Sequence, residues 1–152
     1  MAERSPTIVA RSEWLRHLRD LVVRCSDGAD EDTPECVTLM NELLLVAPEP
    51  ALLDGLQPLA PTRLALMLKA GAQDSVVLKM LERGSGYLLS RSGDGHSMAS
   101  IALPGATREK SAAGVNPAMA LVGALALSLT SAAASARVAT PRSRQSAPAL
   151  LH

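Results

Sequence analysis

The sequence predicts an α+β fold that is mostly helical. Short amphipathic helices fill the N-terminal half, followed by one β-hairpin, an apolar C-terminal helix packed on that hairpin, and a flexible tail. Three observations predict it: apolar residues from Trp14 to Cys25 recur at helical spacing, Tyr87 to Leu103 alternates around a Gly-Asp-Gly turn, and residues 118–129 are almost all apolar. A chain of 152 residues has room for one domain with a real core. That domain is expected over residues 1–131, with 132–152 as the tail.

Apolar residues make up 47% of the chain, yet it holds no Phe, one Trp and one Tyr. Ala, Leu, Val and Met must therefore build the core, and their small size favours close helix packing. The scarcity of rings argues against a reader of single-stranded nucleic acid, which stacks bases on aromatic faces. The formal net charge is zero, but residues 1–60 carry eleven acids against five bases, and residues 61–152 carry ten bases against four acids. Halves opposed in this way attract each other on folding, or offer an acidic and a basic face to partners. Cys25 and Cys36 flank an acidic loop at a spacing that zinc ligation does not favour. The first residues lack the basic-then-apolar run of a signal peptide. Two buried, reduced thiols in a cytoplasmic protein are expected.

The first helix is set by Trp14, Leu15, Leu18, Leu21, Val22 and Cys25, with Arg16, Arg19, Asp20 and Arg24 elsewhere on its circumference. Ser5 and Pro6 offer an earlier start, as a capping hydroxyl before a first-turn proline. His17 falls near the polar side and reads as a surface residue. Residues 26–33, SDGADEDT, break the helix. Asp27, Asp30 and Asp32 are out of register with an EF-hand loop, so a solvated acidic loop is expected and no metal site. Thr33, Pro34 and Glu35 open a second helix with Cys36, Val37, Met40, Leu43 and Leu44 inward.

Pro48, Pro50, Pro58 and Pro61 leave room for one helical turn near 51–56, a connector packing through Leu52, Leu53 and Leu56. A third helix is expected over Thr62–Ala70, ending at Gly71. A fourth, over Ser75–Arg83, is capped by Asp74 and ends at Gly84. Helix, glycine turn, helix and two-stranded wing is the order of parts in a winged helix-turn-helix DNA reader. In that alternative, Lys79, Arg83 and Arg91 are the DNA-binding residues, with Arg63 and Lys69 as further phosphate contacts. The second helix, SVVLKMLER, offers few polar groups to base edges, and the bases form no dense stripe.

The hairpin pairs Tyr87–Ser92 with Ser97–Leu103 through Gly93, Asp94, Gly95 and His96. Alternation puts Leu88 and Ser90 on one face, Tyr87 and Leu89 on the other, and Ala99, Ile101 and Leu103 together on one side. Residues 95–99, GHSMA, resemble the GxSxG nucleophile elbow of α/β-hydrolases, but the last glycine is missing. A turn also precedes Ser97 where the elbow needs a strand, and a strand follows where it needs a helix. Asp94, His96 and Ser97 read as turn-forming polar groups, with no catalytic residue and no cofactor.

Residues 106–115 are expected as a flexible linker, after which Asn116 and Pro117 cap and open the last helix. Its all-round apolar surface means burial or a membrane. The strictly apolar run is shorter than a bilayer span and reaches that length only by including Ser128, Thr130, Ser131 and Ser135, so packing on the hairpin is expected. Membrane association through residues 118–135 is a third functional reading. Ala120, Ala124 and Ser128 form a small-residue strip that admits a neighbouring backbone. The tail, with Arg137, Arg142 and Arg144, reads as solvated.

GYLLSRSGDGHSMASIALPG, a linker, and NPAMALVGALALSL together resemble the strand, strand and apolar-helix ending of small uncharacterised phage and prophage proteins, over residues 84–131. The resemblance implies an accessory protein that acts by binding, and transfers no catalytic residue. With no convergent titratable constellation, the function expected from sequence is non-enzymatic. It is that of a small interaction or regulatory protein of a mobile element, working on an unidentified protein partner.

Overall fold

The computed structural model describes the backbone of residues 6–150 and the side chains of residues 11–135. Its fold is α+β and mostly helical. Helix α1 (Pro6–Asp27) is followed by a 3-10 turn (Asp30–Asp32) and α2 (Thr33–Leu45). A second 3-10 turn (Pro50–Leu53) leads to α3 (Pro61–Lys69) and α4 (Gln73–Met80). Strands β1 (Gly86–Arg91), β2 (Ser97–Ala102) and β3 (Lys110–Gly114) precede α5 (Pro117–Leu150). Helix α1 thus uses the earlier start at Pro6, and α4 begins two residues before its expected start, with Asp74 inside its first turn.

Helix α5 is the centre of the molecule. Every side chain from Ala118 to Ala126 is buried except that of Gly123, which has none, and Leu129 and Ala133 continue the buried face. The helix opens as its sequence requires: Asn116 Oδ1 accepts the Met119 N–H at 2.9 Å, satisfying an orphan donor of the first turn. Asn116 Nδ2 meanwhile donates to Asp30 Oδ1 at 2.7 Å and Thr33 Oγ1 at 2.8 Å, tying the acidic loop to the start of α5. The window Pro117–Ser135 is long and apolar enough to cross a membrane, but 67% of it is buried inside the protein. Helical backbone continues through the segment expected as a tail, where Ala133 packs into the core.

One face of α5 receives α1, the other the sheet. Trp14, Leu18, Leu21 and Cys25 bury the inner stripe of α1 as its spacing predicts, and the Trp14 indole N–H donates to the Leu43 carbonyl at 2.8 Å. Cys36, Val37, Met40 and Leu44 bring α2 to the same core. Leu52 and Leu56 anchor the proline-rich connector. Asn41, itself buried, holds the next stretch by bonding both main-chain groups of Leu59, at 2.9 and 2.8 Å. Arg11 adds a lock at the far end, pairing with Glu49 and donating to the Ala133 carbonyl at 2.8 Å.

The sheet is antiparallel with order β1-β2-β3. Tyr87 pairs with Ile101 and Leu89 with Ala99, so the expected hairpin faces are observed. Ala99, Ile101 and Leu103 are buried against α5. The expected linker at 106–115 is corrected: Lys110–Gly114 is a third strand, paired with β2 from Ser97↔Gly114 to Ile101↔Lys110. Its KSAAG sequence carries no β-branched or aromatic signal. What stabilises it is close approach, because a Cβ at Gly114 would lie 2.6 Å from the Ala120 backbone nitrogen, and one at Gly123 would lie 3.2 Å from Ala112 Cβ. Ser100 and Ser111 add a cross-strand hydroxyl pair at 2.6 Å.

Candidate interaction surface

Strand β1 is poorly protected. It forms one edge of the sheet, and all six of its residues are exposed. Leu88 is 69% exposed, Tyr87 48% and Leu89 39%, and Met98 on β2 adds a further exposed apolar side chain at 48%. The two faces differ in cause. Tyr87 and Leu89 lie on the side that α5 covers at β2, but α5 covers the edge strand only in part. Leu88 lies on the outer side with Ser90.

Edge strands are usually blunted by proline, a bulge or an inward charge. Gly86–Arg91 has none of these: its register with β2 is unbroken, and its one charge, Arg91, is its last residue. The main-chain groups facing outward follow from the turn. Ser92 N–H donates to the His96 carbonyl at 2.8 Å. In antiparallel pairing the bonded positions recur every second residue, so Ser90, Leu88 and Gly86 bond β2, and Tyr87, Leu89 and Arg91 present N–H and C=O to the open side.

The turn itself is stiff. Asp94 Oδ1 accepts from the Ser92 hydroxyl and from the His96 N–H at 3.0 Å. The Ser92 hydroxyl, the His96 N–H and the His96 ring, with Nδ1 at 3.5 Å, together lower the Asp94 pKa from its ordinary carboxylate value. Asp94 is thus the turn residue its sequence suggests. Ser97 is not part of the turn: it opens β2 opposite Gly114, buried, with an unpartnered Oγ. His96, the last residue of the turn, is exposed and Ser97, the first of β2, is buried, so the two side chains do not share an environment.

Lys79, Arg83 and Arg91 lie on α4, in the turn that follows it, and on β1. Lys79 pairs with Glu82 at 3.6 Å, and Arg83 Nε donates to Gln57 Oε1 at 2.9 Å. Arg91 sits at the far end of β1, roughly 17 Å along the strand from Gly86 at ~3.3 Å per residue. Helix α4 gives Val76, Val77 and Met80 to the core, leaving Asp74 and Ser75 as its exposed polar residues. The opposed charged halves are also not joined by ion pairs: each ion pair among the described residues links partners within one half.

Two larger clefts lie elsewhere on the described surface. One, of about 540 Å³ between α1 and α2, has Leu21, Leu39 and Leu43 at its base and His17, Asp20 and Glu42 among its polar lining. The other, of about 520 Å³, lies between the β2–β3 loop and α5, with Arg108, Lys110, Ser131 and Ser135 around it. Cys25 and Cys36 are free and buried, and burial pushes both thiols above their ordinary range. Asp30 and Asp32 of the acidic loop are occupied as acceptors, from Asn116 and from the Ala29 N–H at 2.9 Å. Comparison of the chain with models of protein families, with curated proteins and with solved structures finds no match.

Proposed function

We propose that the protein is a small non-enzymatic interaction module that takes a partner's strand at the β1 edge. The observation that carries this reading is the unblocked edge strand Gly86–Arg91, all six residues of which are exposed. Strand addition draws affinity from main-chain hydrogen bonds and specificity from alternate side chains, and β1 offers both. The alternative of DNA binding through Lys79, Arg83 and Arg91 is less well supported, because Lys79 is paired with Glu82 and α4 turns Val76, Val77 and Met80 into the core. Salt-dependent duplex binding lost on charge reversal at those three residues would restore it.

A photo-reactive phenylalanine analogue at Leu88, with the same probe at Ser75 as control, tests the proposal in living cells of the native host. The expected result is a discrete adduct from position 88, not from 75, that Leu89→Pro abolishes. No adduct at 88, or equal adducts from both positions, overturns the reading.

A further inference from the structure

We propose that the strand added to β1 is the β1 of a second copy, running antiparallel, so that two three-stranded sheets become one six-stranded sheet about a two-fold axis. This rests on the reading of β1 as a docking edge and names its partner. Four properties of the strand point to itself as its complement.

The first is the parity of its free main-chain groups. Tyr87, Leu89 and Arg91 face outward, a set symmetric about Leu89. An axis through Leu89 sets Leu89 against its own copy and Tyr87 against Arg91 of the second copy, each pair exchanging two hydrogen bonds. No outward-facing group of the strand is left over. The second is side-chain fit. On the face that α5 covers only in part, the half-exposed Leu89 side chains meet across the axis, and each Tyr87 ring lies beside a guanidinium, which suits the negative face of the ring.

The third property is charge. The chain enters β1 from Arg83 and leaves it toward Asp94, both exposed. Antiparallel pairing brings Arg83 of one copy toward Asp94 of the other, twice. Parallel pairing would set Arg91 against Arg91 and Asp94 against Asp94, which is repulsive. An unrelated strand could satisfy the main chain, but a strand whose two flanks are each other's counter-charges is complementary to its own reverse. The fourth is closure. The other edge of the sheet, β3, packs against α1 and α5, so addition at β1 stops at two copies.

A contact of one strand pair lies at the small end of specific interfaces, so the dimer should be concentration-dependent. Sedimentation equilibrium from micromolar to millimolar protein is expected to show monomer and dimer and nothing larger. Leu89→Pro removes an outward N–H without touching the bonds at Gly86, Leu88 and Ser90. It should weaken the dimer at least tenfold with an unchanged circular dichroism spectrum. Arg83→Glu should weaken the dimer and a second reversal, Asp94→Arg, should restore it, whereas parallel pairing sets each residue against its own copy and predicts no such rescue.

Leu89→Cys gives a readout independent of affinity. Bonded antiparallel pairs hold Cα atoms ~5.5 Å apart, within disulfide range, so mild oxidation by dissolved oxygen should yield a covalent dimer. Cys25 and Cys36 are buried and should not contribute. A wild-type chain monomeric at millimolar concentration, or Leu89→Cys that stays monomeric on oxidation, overturns this proposal. An adduct from position 88 to a different protein would overturn it while leaving the interaction reading in place.

Discussion

Three single residues show what stability depends on at the residue scale. Gly114 faces the backbone of α5, where an added methyl would come within 2.6 Å of the Ala120 nitrogen. Neither atom can move without shifting an element, so Gly114→Ala should cost about 1–3 kcal/mol by overpacking, read from urea unfolding. Asn41 works by hydrogen bonding. It holds both polar groups of Leu59 in a buried position, and Asn41→Ala should cost about 2–4 kcal/mol because both groups are then left without partners. Cys25 makes stability depend on pH. Its folded-state pKa is raised above the ordinary 9.0, chiefly by burial and then by the neighbouring Cys36. The unfolded chain therefore releases this proton first as pH rises. The associated stability is fully present below about pH 8.5 and declines above it. Unfolding free energies measured between neutral and alkaline pH should show that decline, and Cys25→Ala should reduce it, with buried Cys36 contributing the remainder.

At the level of elements, α5 carries the most apolar packing. Leu125 on α5 is fully buried, so Leu125→Ala should cost about 2–5 kcal/mol, far more than a truncation of exposed Leu66 on α3. A value below about 1 kcal/mol in urea unfolding would show that α5 is not the core element described. The helices and the hairpin were legible in the sequence because each buries a stripe or a face that leaves a period: Trp14 to Cys25 on α1, Tyr87 and Leu89 opposite Ile101 and Ala99. Strand β3 was not legible, since Ser111, Ala112 and Ala113 have no strand signal and the element exists through the room Gly114 and Gly123 leave for it. The extent of α5 was underestimated for a related reason. Ala132 and Ala133 look like polar-tail composition until Arg11 and the core are placed beside them. The candidate surface was half legible: the apolar alternation of β1 was readable, but not that α5 covers it only in part, which depends on how two elements cross.

For the whole molecule, the division of charge that the sequence suggested as an internal attraction takes no part in ion pairing across the halves. The observed pairs are local and mostly exposed, such as Arg16 with Glu13 at 3.2 Å and Arg24 with Glu35 at 2.7 Å, and pairs of this kind contribute little. Raising salt from about 0.05 to about 0.5 M should therefore leave the thermal midpoint nearly unchanged. A large downward shift would show that the two halves hold each other electrostatically after all.

The packing of α1 against α5 also has a consequence in time. The two helices are the first and last elements of the fold, separated by every other element, yet α5 is the principal packing partner of α1. At a synthesis rate of about 5–20 residues per second, the stripe of Trp14, Leu18 and Leu21 waits on the order of 10 s for its partner to be made. During that interval the emerging chain carries half of a core with nothing to close it. Folding must then await the long-range encounter of its two outermost helices.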